Sequence, residues 1–149
     1  MAQKTILLIE DNATDEQLTR RAFRKNNVMN EVVVACDGVD AVDYLNGTGA
    51  YEQRNTSEVP SLIVLDLNLP RMDGLDVLTH IRSVDTLRHV PVVVMTSAAG
   101  DEVVHQAYDR GANSFVRKPV DATEFSDVVT DIAVYWLLLN ESGIASMAD

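Results

Sequence analysis

Five polar residues stand just after short apolar runs, and their types are those of a metal or phosphate site. Glu10 and Asp11 follow Thr5–Ile9, Asp66 follows Leu62–Leu65, Thr96 follows Val92–Met95, and Lys118 comes shortly after Ser114–Val116. Taken singly, each has an ordinary explanation. Asp11 or Asn12 would cap a helix, Asp66 would open a turn, Thr96 would be a strand-end hydroxyl and Lys118 a solvated side chain. Taken together, the acids call for a cation, because like charges about 4 Å apart repel by about 4 kcal/mol at an effective dielectric of about 20. Hard carboxylate oxygens with open positions suit Mg2+, which keeps several waters and binds phosphate oxygens. A hydroxyl and an ammonium facing that metal could cradle a phosphoryl group, Thr96 as a donor and Lys118 as a point charge.

This convergence depends on the elements that carry the residues. The apolar runs Thr5–Ile9, Val32–Cys36, Leu62–Leu65, Val92–Met95 and the weaker Ser114–Val116 are short and rich in β-branched residues. They read as strands buried on both faces. Helical spacing fills the intervals at Thr14–Lys25, Val39–Leu45, Leu75–Ile81, Asp101–Arg110 (ended by Gly111) and Asp121–Leu139. Alternating strands and helices predict an α/β fold with a doubly wound five-stranded parallel sheet. The common order for such a sheet is 2-1-3-4-5, flavodoxin-like, with its topological switch between strands 1 and 3. Ligands bind there, outside the carboxyl ends of the strands, where Glu10, Asp11 and Asp66 would meet. Gly47–Pro60 reads as a long loop.

Size and charge narrow the function classes. The chain has 149 residues, enough for one domain, and a formal net charge of −11. That sign argues against direct nucleic-acid binding, which needs a basic surface. No apolar stretch approaches the ~20 residues of a membrane span, and the start is too short in apolar residues for a signal peptide. A cytoplasmic location is therefore expected. Cys36 is the only cysteine, which excludes an intrachain disulfide and a Cys-based zinc site.

The chain resembles the receiver domain of bacterial two-component response regulators, the chemotaxis-Y-like fold. The resemblance rests on Glu10-Asp11, on Val64-Leu65-Asp66-Leu67-Asn68-Leu69-Pro70 with Met72-Asp73-Gly74, on Met95-Thr96-Ser97-Ala98, and on Lys118-Pro119. It covers a core of about residues 4–138 within a single domain spanning 1–149, with 140–149 expected as a flexible tail. The segment before Pro60, the Leu87–Pro91 approach to strand 4 and the apolar last helix are similar to one branch, the small regulators associated with cyanobacterial phytochromes.

The resemblance implies roles. Asp66 would accept a phosphoryl group from a sensor histidine kinase. Asp11, Asp66 and the Asn68 backbone carbonyl would hold Mg2+, with Glu10 acting mostly through a metal-bound water. Thr96 would be the switch hydroxyl, Phe115 the aromatic that moves with it, and Lys118 the partner of Asp66 or its phosphoryl group. The Lys118–Pro119 bond would be cis. A receiver catalyses its own phosphorylation and dephosphorylation and is not a turnover enzyme. Its output would be protein contact or onward phosphotransfer.

In the last helix, Phe125, Val128, Val129, Ile132, Trp136 and Leu139 form one apolar stripe, enough to cover the sheet. Val134, Tyr135, Leu137 and Leu138 are surplus to it. Val134, Tyr135, Trp136, Leu137 and Leu138 therefore predict a homodimer interface, the alternative being a tail folded back over the patch. Two other functions compete. An aspartate-nucleophile phosphatase would want a second Asp where Asn68 stands, and a substrate cap besides. A flavodoxin-like cofactor binder would not place Glu10-Asp11-Asn12 against a phosphate.

Overall fold

The computed structural model describes residues 5–97 and 100–144. Ala98 of the strand-4 motif, residue 4 of the expected core and residues 145–149 of the expected tail lie outside these. Five strands, β1 (Thr5–Ile9), β2 (Glu31–Ala35), β3 (Leu62–Leu65), β4 (Val92–Thr96) and β5 (Ser114–Arg117), form one parallel sheet in the order β2-β1-β3-β4-β5. The predicted fold class and strand order are thus observed. The intervening helices are α1 (Ala13–Lys25), α2 (Gly38–Asn46), α3 (Gly74–Ser83), α4 (Asp101–Asp109) and α5 (Ala122–Ala133).

Side chains alternate across each strand, so the sheet feeds two cores. Leu7, Ile9, Ile63, Leu65, Val92 and Val94 pack with residues of α2, α3 and α4. Ile6, Leu8, Leu62, Val64, Val93 and Met95 pack with Phe23 of α1 and Phe125 and Val129 of α5. β1, β3 and β4 are buried almost throughout, which is why they read as continuous apolar runs. Among the described residues no helix is long and apolar enough to cross a membrane.

Three local predictions need correction. β2 ends at Ala35, because the Cys36 N–H donates to the Asp40 carboxylate of α2 (3.1 Å). The last helix is α-helical only to Ala133 and then winds as a π-helix over Val134–Leu139, with the Asn140 N–H reaching the Tyr135 carbonyl at 2.6 Å. The wider winding breaks the 3.6-residue stripe. Trp136 and Leu137 turn in against the second core, whereas Leu139, expected on the buried stripe, is 67% exposed. Finally, the described residues contain no cis peptide bond, so Lys118–Pro119 is trans. Trans is the intrinsically favoured isomer, and it already lets the Lys118 side chain reach the acids.

The Gly47–Pro60 segment is a loop with one short helical turn, Gly49–Tyr51. Its own side chains hold it on α2. The Tyr51 hydroxyl donates to Asp40 (2.9 Å), the Tyr51 ring packs edge-on to Tyr44, and the Arg54 guanidinium lies 4.0 Å over the Tyr44 ring.

Candidate functional site

Register brings the chemistry together. Ile9 of β1 is level with Leu65 of β3, so Glu10 and Asp66 leave the sheet side by side. Leu65 is level with Val94, and Thr96 with Arg117, so Thr96 and Lys118 reach the same edge from the other side. The backbone continues the ladder through this edge: the Asp66 N–H donates to Ile9, the Glu10 N–H to Ala35 and the Lys118 N–H to Thr96, at 2.9–3.0 Å.

Both oxygens of Asp66 are occupied. Oδ1 accepts from the Thr96 hydroxyl (2.8 Å) and the Asn68 N–H (3.0 Å), and Oδ2 accepts from the Lys118 ammonium (2.7 Å). Thr96 is fully buried and Asp66 nearly so. The Thr96 hydroxyl thus already rests on the unmodified Asp66. The Asn68 side-chain amide lies 3.4 Å from that hydroxyl. Phe115 is half-buried on β5, packed against the first core.

Lys118 is no solvated residue. Its side chain is 6% exposed, and Nζ meets Glu10 Oε1 at 2.7 Å, Asp15 Oδ2 at 2.8 Å and Asp66 Oδ2 at 2.7 Å. Asp15 is the residue that sequence reasoning missed. Its place in the first turn of α1 reads as a helix-dipole acid, and that explanation hides the ammonium contact. The available signal was its position four residues after Asp11, on the turn of α1 that rises from the same edge.

Burial and charge divide the proton economy. Desolvation pushes the Glu10 carboxyl up to about 7, helped by the neighbouring Asp66 and opposed by Lys118. Burial would raise Asp66 too, but the Lys118 ammonium, the Asn68 N–H and Glu10 hold it below the ordinary aspartate value. Lys118 is raised: its three carboxylates outweigh the desolvation that opposes its charge. Asp66 is thus biased toward its ionised form, and Glu10 is the carboxyl of the pair that holds a proton more readily.

Glu10, Asp11 and Asp66 each offer a carboxylate oxygen within 4.8 Å of the other two. Glu10 and Asp66 are buried and Asp11 is exposed, so the cluster opens to solvent on one side. An all-oxygen, acid-rich donor set fits a hard divalent cation, and this cluster can bind one. Beside it a groove of about 490 Å³ is lined by Asp11, Leu67, Asn68, Asp73 and Val103, among others. Asn68 thus lies next to the acids. The loop that carries it is latched to the N-cap of α2, where Arg71 contacts Asp37 through two hydrogen bonds of 2.9 and 3.1 Å.

Known proteins share this fold. The response regulator Rcp1 of Synechocystis sp. is 34% identical over 134 residues, covering 90% of this chain and 89% of its own. Its Mn2+-bound crystal structure superposes with a TM-score of 0.86 at 32% identity, covering 93% of this chain and 98% of its own. The phosphorylated cyanobacterial phytochrome response regulator RcpA superposes with a TM-score of 0.88 at 35% identity, covering 95% of this chain and 99% of its own. The bacteriophytochrome response regulator AtBRR is 45% identical, with a TM-score of 0.73, covering 95% of this chain and 100% of its own. The profile of the response regulator receiver domain matches residues 6–130, from inside β1 to near the end of α5. The chain belongs to the receiver-domain family of two-component response regulators, and phosphorylation-dependent signalling is its work.

Proposed function

We propose that Asp66 accepts a phosphoryl group from the phosphohistidine of a sensor histidine kinase, and that the kinase is a phytochrome. The observation that carries this reading is the pinning of Asp66, with the Thr96 hydroxyl on one oxygen and the Lys118 ammonium on the other. That arrangement fixes the carboxylate within the acid cluster. The phytochrome assignment is supported by the named roles of RcpA and AtBRR.

Asp66 supplies the oxygen that forms the new P–O bond as the P–N bond breaks, and the electron pair leaves with the imidazole nitrogen. Lys118 and Thr96 face the charge on the phosphoryl oxygens, so positioning and electrostatics provide the catalysis. Glu10, Asp11, Asp66 and the Asn68 carbonyl would hold Mg2+. When bound, the cation neutralises charge between the carboxylates and the phosphoryl oxygens. Water then attacks phosphorus, the P–O bond to Asp66 breaks, and the carboxylate is restored with release of inorganic phosphate. Both steps belong to the receiver itself. The Thr96 hydroxyl and the Phe115 ring carry the state of Asp66 toward α4, β5 and α5. Val134, Tyr135 and Leu138, exposed beyond α5, serve a homodimer contact, while Trp136 and Leu137 support them from the core side.

One experiment tests the phosphoacceptor and the dimer together. The chain is incubated with phosphoramidate and Mg2+, and phosphoprotein and molecular mass are followed together. Wild type is labelled only with a divalent cation, Asp66→Asn is not labelled, and the mass is that of a dimer. Undiminished labelling of Asp66→Asn removes the phosphoacceptor, and a strict monomer in both states removes the dimer.

A further inference from the structure

Lys118 has three ammonium hydrogens and three carboxylate partners, so it has no hydrogen to spare. Two of those partners, Glu10 and Asp66, belong to the acid cluster. The third, Asp15, comes from a different element and stands outside it. Asp15 is also held in place by its own backbone. Its N–H donates to the Asn12 side chain that caps α1 (3.0 Å), and its carbonyl accepts from the Thr19 hydroxyl (2.8 Å). A flexible four-carbon stem on Lys118 is thereby stopped against a fixed point on the first turn of α1.

We infer that Asp15 is a positioning residue for phosphoryl transfer: it tethers the Lys118 ammonium on the α1 side of the site. This inference rests on Asp66 being the phosphoacceptor. When a phosphoryl group arrives, its oxygens need a donor from Lys118, and one existing contact has to be exchanged. The contact to the Asp66 carboxylate is the one exchanged. The contact to Asp15 stays and keeps Nζ facing the incoming group. Without Asp15, the ammonium settles between Glu10 and Asp66, where it competes with the divalent cation and no longer faces the phosphoryl oxygens.

The test is phosphorylation by phosphoramidate at saturating Mg2+, with Asp15→Asn, Asp15→Ala and Asp15→Glu compared. The saturating rate of Asp15→Ala falls about tenfold, less than the roughly 100-fold that a ~1 Å misplacement can cost because Glu10 and Asp66 still hold the ammonium nearby. The donor KM moves little, and Asp15→Glu restores most of the rate. In a Lys118→Ala background, Asp15→Ala has no further effect, because the tether acts through the ammonium. An unchanged saturating rate in Asp15→Ala, or an equal loss in the Lys118→Ala background, overturns the inference. A readout independent of phosphorylation is the Lys118 ammonium signal in a ¹H–¹⁵N spectrum. It is sharp in wild type and exchange-broadened in the near-isosteric Asp15→Asn, and an unaltered signal also overturns the tether. Failure of Asp66 labelling would strike the phosphoacceptor and leave this spectrum to judge Asp15.

Discussion

Two cations are taken out of water at opposite ends of the same sheet, and their partners differ in kind. At the carboxyl edge Lys118 sits among three carboxylates. At the amino edge Arg82, from α3, sits among neutral oxygens. Its guanidinium donates to the carbonyls of Leu87 (3.0 Å), Arg88 (3.2 Å), Val90 (2.8 Å) and Gly111 (2.9 Å), and to the Asn113 side chain (2.7 Å). Charged partners push the Lys118 ammonium up, while desolvation alone brings Arg82 down. The difference separates a site from a staple. Carboxylates around Lys118 can be protonated or bound by a cation, so that edge has several charge states. Backbone carbonyls around Arg82 cannot change, so the approaches to β4 and β5 are fixed, and the strands deliver Thr96 and Lys118 to a constant place.

Breaking the staple should cost stability and leave the chemistry alone. Arg82→Ala takes the guanidinium away from four carbonyls and from the Asn113 side chain, leaving Leu87 only the Val90 N–H (3.2 Å) and Asn113 only the Val92 N–H (2.8 Å) at the start of β4. The expected loss is about 3 kcal/mol in urea unfolding, while Mg2+ affinity of the folded fraction is unchanged. A parallel loss of Mg2+ affinity at full folding would erase the distinction between the two ends.

The site end should answer to pH instead. Glu10 is raised from 4.5 to about 7 in the folded chain, so the folded state holds a proton that the unfolded state has released. Its contribution is complete below pH 4.5 and is lost as the pH rises through about 7, at most about 3 kcal/mol in the metal-free chain. Because the cation needs the ionised carboxylate, Mg2+ restores that stability at high pH, and its own affinity falls as the pH drops below 7. Urea unfolding across this range with and without Mg2+ checks the sign, and Glu10→Gln should flatten the profile.

The smallest effect returns to the staple. Gly111 has φ +104°, and a Cβ there would stand 2.6 Å from Arg82 Cγ. Gly111→Ala should cost about 1 kcal/mol by thermal unfolding, with phosphorylation rates unaltered.

Much of this could be read from particular residues. Ile6–Ile9, Leu62–Leu65 and Val92–Met95 announce buried strands because both their faces are covered, and the acids, hydroxyl and lysine that follow them mark the carboxyl edge. Gly111 was legible as a helix stop. Arg82 and Asn113 were not, because an arginine serving backbone carbonyls leaves no spacing signature. Asp15 was masked by a local explanation that is also true. The end of α5 misled because a π-helix keeps helical composition while changing which residues share a face.

The sequence by itself determined the fold class, the strand order expected of five alternating units, and the residue types at the active edge, since strand burial and helix periodicity are local patterns. Only the tertiary structure decided which partners those residues have. The third carboxylate on Lys118, the raised Glu10 carboxyl, the hydroxyl already resting on Asp66 and the guanidinium that fixes the far end all arise from contacts between distant segments. Such contacts depend on register and burial, and neither leaves a mark on the spacing of residues along the chain.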